Sequence, residues 1–181
     1  MSDFWVFGYG SLMWRPGFEY AEAAPARLSG YHRALCVYSW VHRGTRAHPG
    51  LVLGLDHGGS CRGTAYRVEA RKRDAAIAYL RERELVTKVY REAWLKIRIG
   101  PEQYSAPALA FVVDRQHEQY AGALPRTDLL ALVRDSHGSS GSNPDYVINT
   151  ARHLREVGIR DATLEWLAGE LAAGLRAKAL D

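Results

Sequence analysis

The chain has 181 residues, of which 47% are hydrophobic and 24% are charged, and this length and composition suit one soluble globular domain. Its net charge of +4 permits an anionic partner, but the arginines are scattered and no nucleic-acid-binding module is recognisable, so we expect no nucleic acid partner. No apolar run approaches the roughly 18 residues of a membrane-spanning helix, and the start does not resemble a signal peptide, which predicts a cytoplasmic protein without a membrane partner.

The first part of the chain is predicted to be mostly β-strand. Residues 4–7 are an apolar run typical of a short buried strand, and β-forming residues extend from Gly30 to residue 40. Two further strands are predicted at residues 51–55 and 61–68, with a turn between them over the Asp-His-Gly-Gly-Ser segment at 56–60.

A helix and a hairpin are predicted next. The apolar pattern favours a helix from Arg71 to about Glu84. Residues 90–99 alternate in part and residues 106–113 are largely apolar, so we expect these two runs to pair across the Gly100-Pro101 turn.

Helices are predicted to dominate from residue 126 onward. Asn143-Pro144-Asp145 is typical of a helix start, with Asn as the N-cap, Pro at the first helical position and an acid in the first turn. Gly158 fits the end of that helix, and a last helix is predicted from about Ala162. Strands followed by helices indicate an α+β fold, and we expect residues 1–181 to form a single domain.

The two cysteines give no sign of chemistry. Cys36 and Cys61 fall in strand-like runs, and their spacing matches no metal-binding motif. We therefore predict free thiols packed in or near the core, and no metal site.

Glu84 is a candidate general acid and base. It lies four residues after Leu80 and seven after Ile77, so it falls on the apolar face of the predicted helix. Burial raises the pKa of such a carboxyl toward the range in which it can exchange protons near neutral pH. Arg83 falls near the same face, so an internal Glu–Arg pair or a frayed helix end is the alternative interpretation.

A glycine-rich segment directly after the first strand is a candidate binding loop. In Gly8-Tyr9-Gly10-Ser11, the glycines allow backbone N–H groups to come close to a ligand, and these groups and the Ser11 hydroxyl would suit a carboxylate. The segment is not a phosphate loop, because no lysine follows and the glycine spacing differs. An ordinary turn is the alternative.

A second glycine-serine segment, Gly138-Ser139-Ser140-Gly141, precedes the helix predicted from Asn143. It lacks the Gly-x-Ser-x-Gly pattern of a nucleophile elbow, and no strand is predicted before its serines, which argues against a serine hydrolase. It is either a flexible lead-in to the helix, or it places Tyr146 of the first helical turn in a site at the helix end.

Several short motifs are distributed in order along residues 4–167. They are Val6-Phe7-Gly8-Tyr9-Gly10-Ser11-Leu12-Met13-Trp14, Gly30-Tyr31-His32-Arg33, His42-Arg43-Gly44-Thr45, Pro49-Gly50, Gly63-Thr64-Ala65-Tyr66-Arg67, Tyr79-Leu80-Arg81-Glu82-Arg83-Glu84 and Gly141-Ser142-Asn143-Pro144-Asp145-Tyr146. Each motif is weak alone, but the ordered set resembles the ChaC family of γ-glutamylcyclotransferases. Met13 stands where isoleucine is more usual in that family.

The resemblance implies the γ-glutamylcyclotransferase-like fold, an α+β fold with a mixed, barrel-like β core and surrounding helices. It implies a lyase that cleaves glutathione to 5-oxoproline and cysteinylglycine, with Glu84 as the acid/base and with no cofactor or metal ion. By the same resemblance, the loop from Gly8 to Met13 binds the γ-glutamyl group. Tyr146, in the first turn of the helix predicted from Asn143, is a further candidate for substrate binding. The expected substrate-binding residues are Gly8, Tyr9, Gly10, Ser11, Leu12, Met13 and Tyr146.

Other functions fit the same residues. A cyclotransferase acting on other γ-glutamyl amino acids or on γ-glutamylamines would use the same loop, which is expected to contact the shared γ-glutamyl end. A non-catalytic binder of γ-glutamyl ligands is the alternative of a different class, although Glu84 argues against it. His32, Arg33 and Arg43 are candidates for binding the glycine carboxylate of glutathione. The sequence makes no prediction of the oligomeric state.

Overall fold

In a computed structural model, which describes residues 2–178, the chain divides into two compact units. The first unit contains the residues up to Ala34 together with Gly54–Tyr120. The second unit contains Leu35–Leu53 together with the chain from Ala121 onward. The candidate catalytic residue Glu84 and the glycine loop belong to the first unit.

The main β-sheet of the protein closes into a barrel. In barrel order its strands are β1 Phe4–Gly8, β3 Gly50–Val68, β2 Glu22–Ser39, β4 Tyr90–Ile99 and β5 Tyr104–Val113. Strand β1 pairs antiparallel with β3, where Gly8 is opposite Thr64, and parallel with β5, where Val6 is opposite Leu109. Strands β4 and β5 form an antiparallel hairpin. The predicted mixed, barrel-like core is therefore confirmed.

Helix α1, Arg73–Glu84, packs its apolar face beside β1. Leu80 is fully buried in one cluster with Val6 of β1 and with Leu12 of the glycine loop. The rest of this cluster consists of Phe4, Tyr66, Val68, Ala76, Leu109 and Phe111. Because Glu84 lies one helical turn after Leu80, this packing sets the position of the helix end.

The second unit contains helices and a short hairpin. Its helices and hairpin strands are α2 Arg126–Arg134, β6 His137–Gly138, β7 Gly141–Ser142, α3 Asn143–Glu156 and α4 Ala162–Lys178. Its buried residues include Val147 and Leu154 of α3 and Leu164 and Leu167 of α4.

Several predicted elements are confirmed. The helix predicted from Arg71 begins as a 3₁₀ turn at Ala70–Lys72 and continues as α1. The predicted end of α3 at Gly158 is correct, and this glycine has the positive φ of 71° that favours glycine there. Cys36 and Cys61 are buried thiols, as expected.

The turn predicted at residues 56–60 was wrong, because β3 runs through this segment without a break. Gly58 and Gly59 have φ angles of 102° and 67°, so the strand accommodates them as an irregularity rather than reversing direction. Side chains of β2 accompany the segment: the Tyr31 ring lies 4.5 Å from the His57 ring. Tertiary pairing has here overridden the turn preference of the local sequence.

The N-cap of α3 was also predicted one residue too late. Ser142 is the cap, and its hydroxyl oxygen accepts a hydrogen bond from the Asp145 N–H at 3.2 Å. Asn143 is fully buried and serves another purpose: its amide group accepts a hydrogen bond from Leu51 N at 2.7 Å and donates one to Leu51 O at 2.8 Å. A side chain that bonds to a strand in this way is not available for capping.

The segment before α3 is an ordered hairpin and not a flexible lead-in. Ser139 and Ser140 form its turn, and their N–H groups donate hydrogen bonds to Val41 O at 2.8 Å and to His42 O at 3.0 Å. Gly138 is required by close packing, since a Cβ there would lie 2.5 Å from the backbone carbon of His42.

No helix within residues 2–178 is both long enough and apolar enough to cross a membrane.

Candidate active site

The glycine loop is a tight turn that folds back over the end of β1. A 3₁₀ turn at Ser11–Met13 follows the strand, and the Met13 N–H donates to Gly10 O at 2.9 Å. A Cβ on Gly8 would lie 3.2 Å from the Leu12 Cβ, so glycine at this position allows the tight fold-back without displacing Leu12.

Three consecutive N–H groups at the start of this turn make no hydrogen bond to any residue that the structure describes. They belong to Gly10, Ser11 and Leu12. Such a run of N–H groups carries a partial positive charge and is typical of an anion-binding backbone. The predicted preference of the loop for a carboxylate therefore has a physical basis.

Side chains from two strands hold the loop carbonyls. Arg33 Nε of β2 donates to Tyr9 O at 2.6 Å, and its Nη2 donates to Arg62 O at 2.7 Å. The Tyr66 hydroxyl of β3 donates to Met13 O at 2.8 Å, and burial raises the pKa of this phenol to about 12, so it remains a neutral donor. The loop is thus fixed through its backbone oxygens.

Glu84 is the last residue of α1, and only 18% of its side chain is exposed. Burial raises the pKa of the Glu84 carboxyl, and the Arg83 guanidinium, whose Nε lies 3.3 Å from Oε1, offsets part of this rise. The position at the C-terminal end of a helix also disfavours a negative charge. The expected elevated pKa of a candidate acid/base is confirmed.

Arg83 connects Glu84 to the glycine loop. Its Nη2 donates to Ser11 Oγ at 2.9 Å, and its Nη1 donates to Arg15 O at 2.6 Å and to the Tyr79 hydroxyl at 3.1 Å. The Glu–Arg pair that was the alternative interpretation therefore exists, but the same arginine also reaches the loop. The structure thus joins Glu84 and Ser11 through one guanidinium group.

Tyr146 belongs to the second unit, where it lies in the first half of α3. Its hydroxyl oxygen accepts a hydrogen bond from Leu53 N at 3.1 Å, and the Arg43 guanidinium carbon lies 5.2 Å from its ring centroid. These contacts fix the side chain within its own unit. Its role in substrate binding stays a prediction.

The arginine and tyrosine contacts that fix the loop were not predicted from the sequence. Arg33 was considered for the glycine carboxylate, yet its Nε and Nη2 donate to backbone carbonyls. His32 Nδ1 lies 3.1 Å from Gly58 O, and Arg43 Nη1 donates to Ser142 O at 3.3 Å. The only available signal was that Arg33 and Tyr66 fall in the family-like motifs, which says nothing of what they contact.

Comparison with known proteins gives consistent matches. Residues 4–173 match the sequence profile of the family described as ChaC-like protein. The glutathione-specific γ-glutamylcyclotransferase of Escherichia coli is 32% identical over 157 residues, which cover 87% of this chain and 68% of that protein. The human glutathione-specific γ-glutamylcyclotransferase 1 is 34% identical over 158 residues, which cover 85% of this chain and 71% of that protein.

The fold has a solved counterpart as well. A crystal structure of a yeast γ-glutamylcyclotransferase specific to glutathione superposes with a TM-score of 0.84, covering 96% of this chain and 97% of that chain. The sequence identity in this superposition is 20%, so the comparison establishes the fold alone.

Proposed function

Because the chain belongs to the ChaC-like protein family, we propose that it is a γ-glutamylcyclotransferase that converts glutathione to 5-oxoproline and cysteinylglycine. The observation that carries this proposal is the partly buried Glu84 carboxyl, which one arginine links to a loop with three N–H groups available for an anion. The names of the relatives from Escherichia coli and human supply glutathione as the substrate.

The glycine loop is proposed to bind the γ-glutamyl end of the substrate. The α-carboxylate of that group suits the N–H groups of Gly10, Ser11 and Leu12, and the Ser11 hydroxyl adds a further donor. The remaining predicted loop residues, Gly8, Tyr9 and Met13, shape the loop around these donors. Holding the substrate in a folded conformation brings its amine close to its γ-carbonyl, which lowers the entropic part of the barrier.

Glu84 is proposed to transfer the proton. The substrate α-ammonium cannot attack until it loses a proton, and the Glu84 carboxylate accepts that proton. The free amine then attacks the γ-carbonyl carbon, a five-membered lactam forms, and the bond to the cysteine nitrogen breaks. Protonated Glu84 returns its proton to the leaving nitrogen, and the second proton of the attacking nitrogen is lost as the neutral lactam forms and also ends on the cysteinyl amine. The Glu84 carboxylate is thereby restored, and nothing is oxidised or reduced. Atoms and charges balance over these steps without a cofactor.

Two further expectations accompany this proposal. Tyr146 is kept as a substrate-binding candidate, which Tyr146→Phe tests through the KM for glutathione. A cytoplasmic location is kept as well, and it awaits cell fractionation.

The first experiment measures 5-oxoproline release from reduced glutathione by the wild type and by Glu84→Gln. The wild type is expected to be active, and the variant is expected to lose at least about 100-fold in kcat, because it cannot accept a proton. Glu82→Gln is the matched control, since Glu82 is an exposed residue of the same helix. It should match the wild type.

A second substrate, γ-Glu-Ala, separates the proposal from its alternatives. Activity on γ-Glu-Ala without activity on glutathione would keep the mechanism and change the substrate. Inactivity of the wild type on both would favour a binding protein. Full activity of Glu84→Gln would contradict the assignment of the acid/base.

A further inference from the structure

We propose that Arg83 is a positioning residue of this reaction, which fixes the glycine loop to the end of α1 and supplies the positive charge that keeps Glu84 able to accept a proton. This inference rests on the proposed function. It assigns a role to a residue that the proton transfer itself does not use.

The geometry uses the whole guanidinium group. Nη2 binds the hydroxyl of Ser11, Nη1 binds the backbone oxygen of Arg15, and Nε faces Glu84. A planar group with donors on three nitrogens can hold a loop and a carboxylate at fixed relative positions, whereas the single nitrogen of a lysine cannot reach all of them. Only 23% of the Arg83 side chain is exposed, so solvent weakens these contacts little.

Arg83 is the charged group that acts on Glu84 among the described residues. The other polar side chains that bind Arg83 or the carbonyls of the glycine loop come from three elements. Tyr79 of α1 accepts a hydrogen bond from Arg83, Tyr66 of β3 stays neutral, and Arg33 of β2 is directed to Tyr9 O. Burial raises the pKa of Glu84 and Arg83 opposes the rise, so removal of the guanidinium leaves only the upward influence.

The test is the pH dependence of kcat/KM for Arg83→Gln and Arg83→Lys. In Arg83→Gln the acid limb should move to higher pH by about one unit, because Glu84 must lose its proton without a neighbouring charge. In Arg83→Lys the limb should stay near its wild-type position while kcat/KM falls by about 10- to 100-fold, because the charge remains and the loop contacts are lost.

Arg81→Gln is the matched control. Arg81 lies two residues earlier on the exposed side of α1, where it pairs with Glu92. The control should keep both the wild-type kcat/KM and the wild-type acid limb. A folded Arg83→Gln with an unmoved acid limb would overturn the proposal, and so would an Arg83→Lys variant with wild-type kinetics.

An NMR titration tests the same charge pairing without any activity. In the wild type, the ¹⁵Nε signal of Arg83 should shift with the midpoint of the Glu84 carboxyl, and this shift should vanish in Glu84→Gln. The measurement needs no Arg83 variant, so it decides the matter even where such a variant fails to fold. Absence of the shift in the wild type would overturn the pairing. A wild type that shows the shift but cleaves no glutathione would refute the proposed function alone.

Discussion

At the scale of single residues, the loop depends on space that glycines leave open. A Cβ on Gly63 would lie 2.2 Å from the carbonyl oxygen of Gly8, and 2.8 Å from the Phe7 ring. The first of these contacts is with backbone, so no rotamer change can relieve it. Gly63 of β3 therefore supports the base of the loop from the neighbouring strand. The sequence singled out Gly63 only as a member of a family-like motif and predicted no contact for it.

Gly63→Ala is expected to displace the Gly8 carbonyl. We expect kcat/KM for glutathione to fall by about 10- to 100-fold, and the free energy of unfolding to fall by about 1–3 kcal/mol. Steady-state kinetics and urea denaturation measure the two effects. Gly169→Ala is the control, because a Cβ at Gly169 in α4 would meet nothing within 4 Å. Equal behaviour of the two variants would contradict the prediction.

At the scale of elements, one buried amide group ties the start of α3 to strand β3. Asn143 bonds both the N–H and the carbonyl of Leu51, so a single side chain satisfies two buried backbone groups. A Cβ on Gly50 would lie 2.6 Å from the Asn143 Oδ1, which explains the glycine beside this contact. The helix that carries Tyr146 is thereby fixed to a strand of its own unit.

Asn143→Ala should destabilise the protein by about 2–4 kcal/mol, because it leaves a buried donor and a buried acceptor without partners. Thermal and urea unfolding provide the measurement. Asn149→Ala is the matched control, since Asn149 is an exposed residue of the same helix, and its effect should stay within about 0.5 kcal/mol. If Asn143→Ala also lowered the free energy of unfolding by no more than about 0.5 kcal/mol, the role of the amide would be refuted.

Local pattern predicted those parts of the structure that depend on neighbours along the chain. The helical spacing from Leu80 was enough to place Glu84 at a partly buried position and to give the direction of its pKa shift. The spacing of Gly8 and Gly10 was enough to predict a loop with accessible N–H groups. The C-terminal end of α3 before Gly158 and the β4–β5 hairpin follow from the same kind of local signal.

The N-cap of α3 and the continuity of β3 depend instead on contacts between segments that are distant in the chain. Asn143 was predicted as the N-cap of α3, but its side chain bonds to β3, and Ser142 is the cap instead. The pair Gly58-Gly59 favours a turn locally, but β2 alongside it keeps the strand continuous. No periodicity in the sequence records which strands become neighbours in a barrel.

At the scale of the whole molecule, the buried carboxyl of Asp56 and the partly buried carboxyl of Glu84 change stability with pH in opposite directions. Burial alone would raise the pKa of Asp56, but hydrogen bonds from Arg115, Tyr120 and the His57 N–H outweigh it, and the pKa is lowered. A lowered pKa contributes stability that is present above the ordinary Asp range and is lost as pH falls through the folded-state value. The raised pKa of Glu84 instead makes its ionisation unfavourable in the folded protein.

Asp56→Asn should reduce the free energy of unfolding by about 1–3 kcal/mol at neutral pH, since it removes the charge that faces Arg115. Between about pH 5 and about pH 2, the variant should lose less stability than the wild type does, because one ionisation has been removed. Urea unfolding across this range tests both statements. Glu170→Gln, at an exposed position of α4, should follow the wild type. Parallel pH curves for Asp56→Asn and the wild type would contradict the assignment.

The carbonyl contacts of the glycine loop have a consequence for scanning mutagenesis. The groups that hold Tyr9 O, Met13 O and Arg15 O come from Arg33, Tyr66 and Arg83, which lie 24, 53 and 68 residues away in the chain. An alanine scan of residues 9–15 would leave those backbone oxygens in place. It would therefore underestimate how much the geometry of the segment matters for activity. The positions most sensitive for loop geometry should instead map to β2, β3 and α1, which lie outside the loop in the sequence.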